Sequence, residues 1–194
     1  FKIKDFDLKA AYIQILKPQS SEVALHTAHF SLDLKNVMPA ESQRILRPFE
    51  YESVLLKTDS IYYKTNAYDA LKINHLEWDG SSLSLSQTQL LTEVSRSRLS
   101  QLISKERDHM NFTIKKVDIS NLTYGQKEGK FFFKAPKLTL EEPFLDIYRD
   151  KRVADDNSTK ALYSKMLREL KFNLMIDTIA LKNGGITYTE RVNN

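Results

Sequence analysis

The chain has no cysteine among its 194 residues. This absence excludes disulfides, zinc–thiolate sites and thiol nucleophiles at once. It agrees with an oxidising envelope compartment, although cytosolic proteins can also lack cysteine. Glycine and proline are scarce, with five of each, which argues against a low-complexity linker or a collagen-like chain.

Long hydrophobic runs and catalytic motifs are absent as well. No apolar stretch approaches the roughly 20 residues that a membrane-spanning helix needs, and the chain shows no signal-peptide pattern. It contains no G-x-S-x-G sequence, phosphate-binding glycine loop or dinucleotide fingerprint. The sequence therefore predicts a non-enzymatic protein with no catalytic residue and no cofactor.

The composition is that of an ordered protein, with 41% hydrophobic and 28% charged residues. A net charge of +4 would suit an anionic partner such as a phospholipid surface or nucleic acid. However, the basic residues are interspersed with nearly as many acids, which favours an ordinary solvated surface. RNA-binding signature motifs are also missing, so we expect no nucleic-acid partner.

An eight-residue pattern, apolar-x-apolar-x-x-apolar-x-apolar, returns along the chain. The clearest copies start at Phe1, Leu71, Phe112 and Phe133, and looser copies start at Leu25, Leu56 and Leu174. Alternation of this kind is typical of β-strands, and its return indicates a repeat architecture. We predict one repeat-built segment of a larger protein spanning 1–194, with approximate repeats 1–39, 40–95, 96–157 and a partial repeat 158–194.

Most copies form pairs joined by a turn-like segment. Those segments are Lys17–Ser21, Lys64–Ala67 and Gly125–Gly129, so each pair is predicted to be a long antiparallel hairpin. Asn183-Gly184-Gly185 predicts a further hairpin at the end of the chain. Between pairs, the periodicity predicts short amphipathic helices near 40–46, 97–107 and 158–171.

The spacing inside the pattern has a consequence for side-chain direction. Positions 1 and 3 share one face of a strand, whereas positions 6 and 8 have the opposite parity. An extra residue at a bulge between them would bring all four side chains to one face and would bend the strand. Without a bulge, the strand would have to be covered on one face over its first half and on the other face over its second half. The predicted fold class is therefore mainly β, with long curved antiparallel hairpins in a repeat meander or β-groove and short amphipathic helices between hairpins.

The histidines and paired acids carry little functional signal. His26 and His29 would share a helix face, but in a strand pattern their spacing places them on opposite faces. His75 and His109 stand alone in the sequence. Adjacent acids such as Asp155 and Asp156 are typical of solvated loops. We expect no metal site.

The segment 174–188, Leu-Met-Ile-Asp-Thr-Ile-Ala-Leu-Lys-Asn-Gly-Gly-Ile-Thr-Tyr, and the related segment 112–124 resemble the repeating units of AsmA-like and TamB-like bacterial envelope proteins. The resemblance covers most of the chain and consists of a degenerate pattern. It implies long bent β-sheets that form an open groove, and a role in outer-membrane biogenesis and phospholipid movement. The helices predicted before each hairpin depart from the plainest form of that pattern.

The resemblance implies a periplasmic or envelope location and a membrane anchor in a segment absent from this sequence. Expected partners are phospholipid, other envelope proteins and adjoining segments of the same parent chain. The candidate lipid-groove residues are the apolar positions of the strand patterns: Phe6, Leu8, Phe30, Leu32, Ile61, Tyr63, Leu76, Trp78, Val117, Ile119, Leu138, Leu140, Ile179 and Leu181. In the alternative, these side chains meet one another in the closed core of a protein-interaction or surface-adhesion β-module. A carbohydrate-active enzyme using paired acids is a third alternative.

Overall fold

A computed structural model of the chain describes residues 1–39, 49–127, 129–156 and 172–192. These residues form twelve β-strands and one short α-helix. The strands are β1 (Ile3–Leu16), β2 (Val23–Pro39), β3 (Phe49–Glu50), β4 (Ser53–Lys64), β5 (Asp69–Trp78), β6 (Leu83–Thr92), β7 (His109–Ser120), β8 (Thr123–Lys127), β9 (Lys130–Glu141), β10 (Phe144–Asp150), β11 (Phe172–Lys182) and β12 (Gly185–Arg191). The mainly β class predicted from the apolar alternation is confirmed.

All twelve strands belong to one open sheet, with the order β1-β2-β4-β5-β6-β7-β10-β12 along its main path. Neighbours from β1 to β7 are antiparallel. One part of β7 pairs with β9 and the other part pairs with β10, so β9 and β10 are two halves of one interrupted strand. Strand β8 continues the line of β7 and also pairs with β9.

The predicted hairpin at Asn183-Gly184-Gly185 is wrong. Strand β11 runs parallel to β9, and β12 runs parallel to β10 in the same register, so the two form one interrupted edge strand. Hydrogen bonds from Glu142 N to Lys182 O (2.8 Å) and from Gly185 N to Pro143 O (2.9 Å) hold the ladder together across the interruption. A Cβ atom on Gly185 would lie 2.9 Å from the Phe144 ring, so close packing, and not chain reversal, explains the second glycine.

The other predicted hairpins are present. Strands β1 and β2 are joined through the 17–21 segment, and β4 and β5 through the 64–67 segment. The third turn is tighter than predicted, because β8 runs to Lys127 and β9 begins at Lys130.

Helix α1 (Arg96–Leu102) occupies the place of the helix predicted near 97–107, but it is shorter. The Ser95 hydroxyl caps it by accepting a hydrogen bond from Arg98 N at 3.2 Å. Leu99 anchors it, with only 2% of the residue exposed. The helices predicted near 40–46 and 158–171 fall on the undescribed ranges 40–48 and 157–171.

Interruptions of the strands line up across the sheet. The β4–β5 ladder skips Ser60 and Asn74, and the β5–β6 ladder skips Asn74 and Gln87. The β6–β7 ladder skips Gln87 and Lys115. We call this line the central break row, and its left-handed members are Ala10, His29, Ser60, Gln87, Glu142 and Asn183, with φ between 50° and 53°. His29 and Ser60 lie where the eight-residue pattern predicts an extra residue, and Gln87 and Glu142 lie beside such positions on a neighbouring strand. The pattern predicts no extra residue at Ala10 or Asn183.

A second line of interruptions, the outer break row, crosses the sheet closer to the start of β1. The β1–β2 ladder skips Lys4 and Asn36, and the β9–β11 ladder skips Pro136 and Asp177. Asn36 has φ 50°, and Asn121, which separates β7 from β8, has φ 53°. Between the two rows the strands keep regular alternation, so side-chain directions there follow directly from the register.

Candidate functional site

Residues that lie directly opposite each other on neighbouring strands point to the same face of a sheet. The register therefore defines an apolar row that crosses eight strands, from β1 through β2, β4, β5, β6, β7 and β9 to β11. Its members, in spatial order, are Leu8, Leu32, Leu56, Trp78, Leu83, Ile119, Leu138 and Ile179. Six of the predicted groove residues belong to this row, and its other two members, Leu56 and Leu83, are not among the groove candidates.

Two further apolar rows run beside the first. One, on the same side of the central break row, consists of Thr58, Leu76, Leu85, Val117, Leu140 and Leu181. The other lies beyond the central break row and consists of Ile15, Leu25, Tyr63, Leu71, Leu90, Phe112, Leu145 and Ile186.

The central break row does not move the apolar side chains to the other face. Beyond the central break row, Thr27 points to the same face as Leu25, because the two residues are two positions apart in β2. Before the central break row, Thr58 likewise points to the same face as Leu56 in β4. The Thr27 and Thr58 hydroxyls are hydrogen-bonded to each other, so both point to one side. Ile61 then shares that side with Tyr63, as Phe6 does with Leu8 and Phe30 with Leu32. The structure thus brings all the predicted groove residues to one face, which we call the apolar face.

Exposure of the apolar face increases from its centre to its edges. Ile73 and Val117 at the centre are 7% exposed, whereas Ile179 and Leu181 at the β11 edge are 59% and 65% exposed. The described strands form one sheet, and the described residues supply no second sheet to cover these side chains.

The opposite face is polar and charged. One of its rows consists of Lys57, Glu77, Ser84, Asp118 and Thr139, and the next of Asp59, His75, Ser86, Lys116, Glu141 and Lys182. Ion pairs link Lys57 to Glu77 (3.1 Å) and Lys116 to Asp118 (2.9 Å). Such exposed pairs add little to the stability of the fold. Their main effect is that this face of the sheet is well solvated.

The prediction that His26 and His29 lie on opposite faces is wrong. His26 stacks on Tyr62, with ring centroids 5.2 Å apart, and His29 Nδ1 lies 3.5 Å from Asp59 Oδ2, so both face the polar side. The cause is the left-handed conformation of His29 itself, which adds one residue to the alternation.

His29 and His75, distant in sequence, flank the same carboxylate. His75 Nδ1 lies 2.6 Å from Asp59 Oδ1, and this hydrogen bond holds the pKa of Asp59 below its usual range. Within the described ranges, no group of three or more histidine, aspartate or glutamate side chains could hold a metal ion. The imidazoles therefore act here as partners of an acid on the solvent face.

Three buried carboxylates lie near α1 at one end of the sheet, and no sequence motif predicts them. Each has a basic partner: Asp69 with Arg107, Glu106 with Lys151 at 2.9 Å, and Asp150 with Arg152 at 2.6 Å. The Arg152 guanidinium holds the pKa of Asp150 well below its usual range. Each carboxylate is thus neutralised locally, which is the requirement for burying a charge.

A cleft of about 390 Å³ lies at the other end of the sheet, between β4, β8 and the β5–β6 turn. The Tyr51 and Tyr124 hydroxyls are 3.0 Å apart in its wall, and Asp79 accepts hydrogen bonds from Ser81 N and Ser82 N. The Asp79 carboxylate is engaged in shaping the turn, and the other acid in the wall, Glu52, accepts a hydrogen bond from Asn36 Nδ2.

None of the described helices is both long and apolar enough to cross a membrane. Comparison of the chain with protein-family models, with curated proteins and with solved structures finds no match. The arrangement of the two faces is consequently the main structural guide to function.

Proposed function

We propose that this chain is a non-enzymatic segment of a bacterial envelope protein whose apolar face shelters the acyl chains of lipid during outer-membrane biogenesis. The proposal extends the resemblance to AsmA-like and TamB-like repeats. It includes a periplasmic or envelope location, an anchor elsewhere in a longer parent chain, and adjoining segments of that chain or other envelope proteins as partners.

The single observation that carries the proposal is the continuity of the apolar rows from β1 to β11. The first row consists of leucine, isoleucine and tryptophan side chains from β1 to β11, and it is half exposed at the sheet edges. An ordinary protein surface has single, scattered apolar side chains, whereas this row is contiguous. Burying an acyl chain against such a wall contributes about 0.8 kcal/mol per CH₂ group.

The two break rows support a curved form of this wall. Left-handed residues at bulges bend strands and increase their twist, and here they recur at the same level of successive strands. A bend repeated along one line would fold the sheet about that line, with the apolar rows on either side of it.

The alternative is a protein-interaction or surface-adhesion module in which another layer closes over the apolar face. The buried centre, with Ile73, Ile114 and Val117 below 9% exposure, is compatible with that arrangement. In this case the apolar face would be filled by protein, and no lipid would accompany the purified chain.

The test is native mass spectrometry of the purified chain and of two neighbouring variants. Ile179→Asp places an unpaired charge on the apolar face at a site that is 59% exposed, so the variant is expected to fold. Thr178→Asp places the same charge on the polar face, opposite Lys137, and is the control.

We expect bound lipid in the wild type and in Thr178→Asp, and loss of most of it in Ile179→Asp. Absence of lipid from a folded wild type would support the closed module instead. If both variants retain equal amounts of lipid, the apolar face is not the lipid-binding site.

A further inference from the structure

The sheet has two open edges, one at β1 and the other along β11 and β12. In the described part of the chain, no strand pairs with the outer side of either edge. Every residue of β12 is exposed, and so are most residues of β11. The outward N–H and C=O groups of such an edge form a template for another strand.

The β11–β12 edge has few of the features that prevent strand addition. Proline, which blocks edge pairing, is absent from both strands, and Asp177 and Lys182 are the only charged residues of β11. Its interruption at Asn183 does not end the ladder, because β12 resumes in register. The edge therefore offers two aligned pairing segments.

Strand β1 matches this edge in the spacing of its breaks. Lys4 and Ala10 lie on the outer and central break rows, six positions apart, as Asp177 and Asn183 do. Parallel alignment of these breaks places apolar residues of β1 beside apolar residues of the edge. The resulting pairs are Ile3 with Ile176, Phe6 with Ile179, Leu8 with Leu181, Ile13 with Ile186 and Ile15 with Tyr188.

Charge in the aligned register is complementary at two positions. Lys4 falls opposite Asp177 in this alignment, and Lys17, which follows β1 and already pairs with Glu22 at 2.6 Å, falls opposite Glu190. Lys9 meets Lys182, but Lys182 already lies 3.6 Å from Glu141, which offsets the repulsion.

We propose that the β11–β12 edge binds β1 of a second copy of this chain as a parallel strand, with Phe6 beside Ile179. The second copy then presents its apolar face on the same side, so the apolar rows continue from one copy into the next. Because the contact joins two different edges of the described sheet, it is head-to-tail.

The absence of native cysteine makes disulfide trapping a direct test. Asp7→Cys and Ala180→Cys place thiols opposite each other on the polar face in the proposed register. Neighbouring strands lie about 4.8 Å apart, which falls within the Cα separation that a disulfide bridges. The two folded single-cysteine variants are mixed, oxidised and separated on a non-reducing gel.

We expect a cross-linked dimer containing one copy of each variant. Replacing Ala180→Cys by Thr178→Cys moves the thiol two residues along the same face, about 6.6 Å away. This change is expected to lower the yield of cross-linked dimer by about fivefold or more. Comparable yields for both pairs, or no dimer from the first pair, would overturn the proposal. So would equal cross-linking of Ala180→Cys to itself, which indicates an antiparallel pairing of two β11 edges. The readout does not depend on lipid, so it fails or succeeds independently of the lipid-binding proposal.

Discussion

Two threonines in one strand, Thr88 and Thr92, have opposite hydrogen-bonding situations. Both are buried, at 9% and 4% exposure. Thr92 Oγ1 donates to Asp69 Oδ1 at 2.8 Å and accepts from Met110 N at 3.1 Å. Thr88 Oγ1 has no partner among the described residues and lies on the apolar face between Ile73 and Ile114. A buried hydroxyl without a partner costs about 1 to 3 kcal/mol.

Replacing the hydroxyl of Thr88 by a methyl group is therefore expected to stabilise the protein. We predict that Thr88→Val raises the free energy of unfolding by roughly 0.5 to 1.5 kcal/mol, measured by urea denaturation. Thr92→Val is the matched control, and it should destabilise because it removes the buried hydrogen bonds that the Thr92 hydroxyl donates to Asp69 Oδ1 and accepts from Met110 N. A loss of stability in both variants would mean that Thr88 has a hydrogen-bond partner in solution.

At the scale of single elements, the break rows explain why strands with an irregular apolar pattern form a regular sheet. A left-handed residue costs about 1 to 3 kcal/mol when it carries a side chain. Gln87 adopts φ 51° in the middle of β6, and its side chain is exposed. The sheet retains this strain because the extra residue keeps Leu85 and Leu90 on the apolar face.

Glycine at position 87 should relieve that strain without removing a packed side chain. We predict that Gln87→Gly raises the midpoint of urea unfolding, equivalent to roughly 0.5 to 1 kcal/mol. Gln89→Gly, two residues further in the regular part of the same strand, should lower the midpoint by a similar amount, because glycine weakens an ordinary strand. If both glycine variants are less stable, the left-handed conformation of Gln87 is not a source of strain.

The sequence predicted the strands and the extra residue between Ile73 and Leu76 because both follow from the period of alternation. The same alternation identified the apolar-face residues, although it could not reveal that Leu56 and Leu83 complete their row, since register depends on pairing between distant segments. The glycine pair at 184–185 does not form the predicted turn. Its reason is the contact with Pro143 and Phe144 on a neighbouring strand, which local sequence does not encode.

For the whole molecule, the two faces of the sheet separate apolar from charged groups. The charged face carries ion pairs such as Lys57–Glu77 and Lys116–Asp118 in water, while the apolar rows lie on the opposite side. The described strands form a single sheet with this polarity, and burial of its exposed apolar area by a ligand would stabilise the fold by mass action. The size of that effect should depend on the length of the buried hydrocarbon.

Binding of single-chain alkyl phosphocholines below their micelle concentrations tests this dependence. From decyl to dodecyl to tetradecyl chains, we predict that each added CH₂ tightens the Kd by about fourfold, which corresponds to about 0.8 kcal/mol. At a ligand concentration of about 100 times Kd, the free energy of unfolding should rise by about 2.7 kcal/mol, visible as a higher Tm. Glycerophosphocholine, which has the headgroup alone, should leave the Tm unchanged. A Tm shift that is the same for all chain lengths would point to headgroup binding on the charged face, whereas no shift at all would favour the closed module.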